Sequence, residues 1–197
     1  MKRWCTLADA APPIDRWLAE LGVEVVESVG EAGEAAFSRD LVLDGDRRCD
    51  LQITVAWITG VGLSVWAYYG PESADLPKRI YHRMLRANFD HPFVKFALTD
   101  DDRPMLMTEL PAAGLDRDAL AQALVRLVVL ADRLLDETAM AVAEHGALPD
   151  WSGRERRNAA LLAAHQGEVE ATMPEWQPMP PARRRRSLLA RLLGTGR

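Results

Sequence analysis

The sequence predicts an α+β fold in which helices pack on an antiparallel five-stranded sheet. Three observations carry that expectation. Residues 37–69 alternate apolar and polar side chains, with turn signals at Asp44-Gly45-Asp46 and Thr59-Gly60. Residues 78–110 read as a short helix followed at once by two strands, the second closing on Glu109-Leu110. Residues 116–146 repeat apolar side chains at steps of three and four, the helical period.

Each element has a local reason. Pro12 and Pro13 open a helix through about Leu21, with Ile14, Trp17, Leu18 and Leu21 on one face and Gly22 as its stop. Val23 to Val29 is a weak strand or an extended link. In the first strand Phe37, Leu41 and Leu43 alternate with Ser38, Asp40 and Val42. In the next, Cys49, Leu51, Ile53, Val55 and Trp57 alternate with Arg48, Asp50, Gln52 and Thr54, giving one apolar face and one wet face. Val61, Leu63, Val65, Ala67 and Tyr69 line one side of the third strand, with Trp66 and Tyr68 on the other. Short turns make these three an antiparallel meander. Asp75 and Pro77 start the second helix, whose inward residues are expected to be Ile80, Met84, Leu85 and Phe89. Asp90-His91-Pro92 ends it, because proline disfavours helix before it and cannot continue one. Strands follow at 93–98 and 105–110, with Asp100–Asp102 as the turn. The last helix of this domain is expected to run unbroken to Gly146, about 40 Å at 1.5 Å per residue.

The chain divides into a domain at 1–148 and a C-terminal extension at 149–197. The extension holds a polar-apolar helix candidate at 154–166, a proline-rich linker at 173–181, and a basic amphipathic end. Charge follows the same division. Residues 1–150 hold 15 Lys/Arg against 25 Asp/Glu, and residues 151–197 hold 9 Arg against 4 Glu. An acidic body with a basic tail hints at an interaction segment. The length of 197 residues, with 48% apolar and 27% charged, suits one soluble core. No apolar run approaches the roughly 18 to 20 residues of a membrane-spanning helix. The N-terminus has no hydrophobic segment of signal-peptide length, so the expected location is the cytoplasm. Cys5 and Cys49 set no disulfide framework.

The middle of the chain resembles the YbjN family of bacterial proteins, described as sensory transduction regulators. The residues that carry the resemblance are Met84-Leu85-Arg86-Ala87-Asn88, Val94-Lys95-Phe96-Ala97-Leu98, Arg103-Pro104 with Leu106, Glu109-Leu110-Pro111, and Leu115-Asp116. It covers roughly residues 12–145. The order helix, three strands, helix, two strands, long helix is also that of the type III secretion chaperone-like fold. That resemblance implies a small acidic homodimer that holds partner segments against its sheet and helices. YbjN proteins as a group carry no well-defined biochemical activity.

Candidate sites point the same way. His82, His91, His145 and His165 form no metal-ligand spacing, and no glycine-rich phosphate loop is present, so no metal or cofactor is expected. The pairs Asp44/Asp46 and Asp100–Asp102 are expected to be solvated turns. Glu109 is expected to pair with Arg86 or Arg103 rather than to act as an acid or base, since no nucleophile or histidine is visibly partnered with it. Trp57, Trp66 and Tyr68, beside Tyr69, leave two readings open: coverage by a helix, or an exposed aromatic patch that binds a peptide or a second subunit. Arg183, Arg184, Arg185 and Arg186 precede Leu188, Leu189 and Leu192, a basic amphipathic pattern suited to anionic lipid, nucleic acid or an acidic protein surface. Its competing reading is a solvated tail, and a third is docking on the chain's own acidic body or that of a dimer mate. The expected function is non-enzymatic protein binding, chaperone- or adaptor-like, in a homodimer. The alternative is a regulator docking on nucleic acid or membrane through the tail.

Overall fold

A computed structural model describes residues 11–72, 76–91, 93–143 and 146–173. The helix opened by Pro12-Pro13 is α1 (Ile14–Glu20). The alternating segments form β1 (Val25–Val29), β2 (Ala36–Leu43), β3 (Leu51–Ile58) and β4 (Gly62–Tyr68). After α2 (Lys78–Asp90) come β5 (Lys95–Leu98) and β6 (Pro104–Pro111). Then follow α3 (Arg117–Arg133), α4 (Leu135–Val142) and α5 (Ala159–Thr172).

The sheet is wholly antiparallel, in the order β1-β2-β3-β4-β6-β5. It has six strands where five were expected. The sixth is β1, an edge strand whose register against β2 shifts between Val25 and Glu27. That shift breaks the period-two signal, and four of its five side chains are exposed. Backbone pairing with β2, not burial, makes it a strand.

One face of the sheet carries the core. Leu41, Ile53, Val55, Trp57, Leu63, Val65, Ala67 and Leu106 point to it and pack with Ile14 and Leu18 of α1, Ile80 and Met84 of α2, and Leu120, Leu124 and Leu127 of α3. Arg39 shares that inward face and is buried. Its guanidinium donates to Asp15 of α1 at 2.6 and 3.0 Å and lies 5.0 Å from the Phe37 ring centroid. A buried cation needs such partners. The Asp15 bond also raises the arginine pKa above its ordinary value.

The long helix expected to reach Gly146 is broken. It turns at Leu134 and gives α3 and α4, with Thr138 at φ −113° and ψ 15°. The Thr138 hydroxyl bonds back to the Leu134 carbonyl at 2.6 Å and meets the buried Tyr69 hydroxyl at 2.5 Å. A threonine that back-bonds to its own turn bends a helix. Here a tyrosine from the end of β4 anchors the bend. Gly70 lets α4 approach, because a Cβ there would collide with the Ala141 carbonyl. At the other end the expected start holds: Asp116 caps α3 by accepting from the Ala119 amide at 2.8 Å.

α5 begins five residues later than the 154–166 expectation and runs on to Thr172. It lies against α3, with Leu161, Leu162 and Val169 buried.

Candidate protein-binding surface

Strand parity places Trp66 and Tyr68 opposite Val65, on the outer face of the sheet, and both are half-buried there. Cross-strand pairing sets Trp66 beside Met107 and Tyr68 beside Met105. On the next strand Lys95 stands opposite Met107 and Ala97 opposite Met105. The Arg103 guanidinium sits 4.2 Å from the Tyr68 ring centroid and donates to the Gly70 carbonyl at 2.8 Å. The result is an aromatic and methionine strip across β4, β6 and β5. None of Trp66, Tyr68, Met105 and Met107 belongs to the core cluster, whose helices cover the other face. Aromatic rings and methionines are the residue types that protein interfaces favour.

Trp57 departs from this group. It is 2% exposed and lies in the core on the helix-covered face. Its parity was legible from the alternation of β3. Its assignment to a partner surface is corrected, because a side chain buried in the folded domain offers no docking area. Arg183 to Arg186, Leu188, Leu189 and Leu192 lie outside the described residues.

A second apolar surface was not expected. Leu85 and Phe89 are 67% and 78% exposed, not inward as expected. The inward stripe of α2 is Ile80, Met84 and Ala87. At 100° per residue, Leu85 falls one step beyond Met84 and off that stripe. Phe93 extends the exposed line beyond the helix end. Arginines partly cover it: Arg86 lies 5.2 Å from the Phe89 ring centroid and Arg126 4.9 Å from that of Phe93. The end of α2 is fixed by Asn88, which donates to the Phe96 carbonyl at 3.1 Å and accepts from the Phe96 amide at 2.6 Å. A side-chain amide thus completes the pairing of β5, a role no local pattern revealed.

The remaining polar candidates resolve as structure. Arg86 pairs with Asp90 and Arg103 with Gly70, so Glu109 has neither expected partner; it is exposed near the end of β6, opposite Ser64. His91 is buried where α2 ends, and burial lowers its pKa. His82 is exposed on α2. Among the described residues no group of His, Cys, Asp and Glu could hold a metal ion, and no helix is long and apolar enough to cross a membrane.

The Asp44–Asp46 turn is solvated at Asp46, as expected, but not at Asp44. Asp44 is 0% exposed; its carboxylate accepts from the Asp50 amide at 2.8 Å and the Arg157 amide at 3.0 Å. Asp132 of α3 caps the same turn, accepting from the amides of Asp46, Arg47 and Arg48 at 2.5, 3.2 and 2.8 Å. Burial raises the Asp132 pKa against the pull of those three donors. Gly45 is required there, since a Cβ would collide with the Asp132 carboxylate.

With this geometry in place, the family assignment follows from the sequence match. The profile described as "YbjN: Putative bacterial sensory transduction regulator" matches residues 14–139. The chain belongs to the YbjN family. The matched region spans α1 through most of α4, so α5 and the segment that docks on the Asp44 turn lie beyond the YbjN match. Among solved structures, a chain of the heterodimeric ExoU–SpcU complex from the type III secretion system of Pseudomonas aeruginosa is similar: 25% identical, over 66% of this chain and 94% of that one, with a TM-score of 0.39. No curated protein matches.

Proposed function

We propose that this YbjN protein is a non-enzymatic holding module, chaperone- or adaptor-like, that shields an apolar segment of a partner protein. The observation that supports it best is the outer-face strip of Trp66, Tyr68, Met105 and Met107, partly exposed on a sheet whose other face is fully used by the core. Rigid strands present this strip, so binding costs little ordering on the protein's side. Methionines adapt to different partner side chains, while the two rings supply area. The acidic body keeps a loaded complex soluble. In this reading the line of Leu85 and Phe89 on α2, extended by Phe93 beyond its end, is the contact with a second copy, giving a homodimer in the cytoplasm.

The test uses the full chain. Trp66→Ala with Met107→Ala should reduce capture of a crosslinked partner from the native host at least tenfold, with the thermal unfolding midpoint nearly unchanged. Unchanged capture of the same proteins by a folded double variant overturns the reading. Leu85→Glu with Phe89→Glu should halve the solution mass if α2 is the dimer contact, and leave it unchanged if it is not.

A further inference from the structure

The β2–β3 turn already holds a peptide, and the chain carries a second copy of the pattern that the turn holds. The first copy is Arg154-Glu155-Arg156-Arg157-Asn158, more than a hundred residues away in sequence. Arg154 and Arg157 both donate to Asp50, each at 2.8 Å, and Arg156 pairs with Asp46. Arg157 also reaches Asp44 at 3.1 Å. Asn158 closes the set: its side chain accepts from the Asp44 amide at 2.6 Å and donates to the Asp44 carbonyl at 3.0 Å. The turn therefore reads three arginines at positions one, three and four, then a residue of helix-capping type at position five.

Arg183-Arg184-Arg185-Arg186-Ser187 repeats that spacing, with arginine at one, three and four and a capping-type serine at five. We propose that the Asp44–Asp50 turn is a receptor site for this pattern, and that Arg183–Ser187 is its alternative ligand, exchanging with residues 154–158. Three facts make the exchange feasible. Asp46 and Asp50 keep about half their side-chain exposure beside their arginines, so a second cation can approach before the first leaves. An open cleft of about 600 Å³ adjoins Arg157 and Asp50, lined also by Val23, Val26 and Val42, which gives an incoming segment room. Reach is sufficient as well. α5 is 14 residues long, about 21 Å, and still touches the turn at Gln166, which donates to Asp46 at 3.2 Å; nine residues separate Met173 from Arg183. Those nine can span about 28 Å at a proline-rich rise of ~3.1 Å each. The serine hydroxyl is a single atom and cannot span the Asp44 amide and carbonyl as the two-atom amide fork of Asn158 does, so the resident segment is the stronger ligand at rest.

The proposal does not depend on the strip of Trp66, Tyr68, Met105 and Met107. Its test is titration of a labelled peptide of residues 178–197 into the full chain, with a peptide of scrambled order as control. Saturable binding is expected for the native order. Asp46→Asn with Asp50→Asn should weaken it about fivefold or more, and Asp46→Asn alone, where only Arg156 and Gln166 lose a partner, should weaken it less. Arg154→Ala with Arg157→Ala, which removes the resident competitor, should strengthen it by a similar factor. Replacing Arg183, Arg185 and Arg186 by alanine in the protein should also strengthen it. Equal binding of the scrambled peptide, no saturable binding, or no response to the aspartate and resident-arginine variants overturns the proposal.

Discussion

The β2–β3 turn carries Asp44, Asp46 and Asp50, and the β5–β6 turn carries Asp100, Asp101 and Asp102. Each places one aspartate in the left-handed region, Asp50 at φ 57° and Asp102 at φ 59°. Each sits in a connection between antiparallel strands. Yet the first is roofed by Asp132 of α3 and by residues 154–158, while all three aspartates of the second are exposed and Asp101 accepts from nearby Thr99. Composition and backbone conformation are thus alike, and the difference is long-range. An acidic turn becomes an anchoring point when a distant segment brings donors to it, and otherwise stays a solvated bend.

Substitutions can break that comparison. The largest effect is expected from Asp44→Ala, which leaves the Asp50 and Arg157 amides without their carboxylate and Arg157 short of a partner. The loss should be about 3 kcal/mol, read as a lower urea midpoint at unchanged slope. Gly45→Ala should cost about 2 kcal/mol through collision with Asp132, and Asp132→Ala should relieve the collision, so the two losses combine less than additively.

A smaller effect separates the turns by pH. The bonds from Arg154 and Arg157 hold the Asp50 pKa below its ordinary value of 3.8. A lowered folded-state pKa gives stability that is complete above the unfolded value and is lost as pH falls through the folded one. Amide protection in α5, measured against the intrinsic exchange rate at each pH, should therefore fall as pH drops below about 4, by about 1 kcal/mol or less given the exposure of the pair. His91 acts higher on the scale. Its lowered pKa gives stability that is full above about 6.5 and declines below it, and His91→Gln should flatten that decline. Asp101→Ala should change the urea midpoint least, no more than an ordinary surface substitution does. A larger loss there would mean the two turns are not distinguished by their distant partners.

Much of the architecture was legible from local pattern. Alternation assigned the faces of β3 and β4 correctly, which is why Trp57 is inward and Trp66 and Tyr68 outward. Asp116 announced the start of α3. Legibility failed where a distant group decides. β1 depends on β2 for its pairing. The bend at Leu134 depends on Tyr69. Leu85 and Phe89 are a different case: at 100° per residue both lie off the Ile80–Met84–Ala87 stripe, so helical spacing already set them apart and their apolar character alone suggested an inward place.

By itself, then, the sequence determined the α+β class, the faces of the central strands and the family, because period, turn chemistry and capping act over a few residues. Only the tertiary structure decided which face of the sheet stays open, where the long helix bends, and which acidic turn receives the arginines. Those outcomes rest on contacts between segments up to 120 residues apart. Their free energy comes from burial and paired charges that exist only once the segments meet.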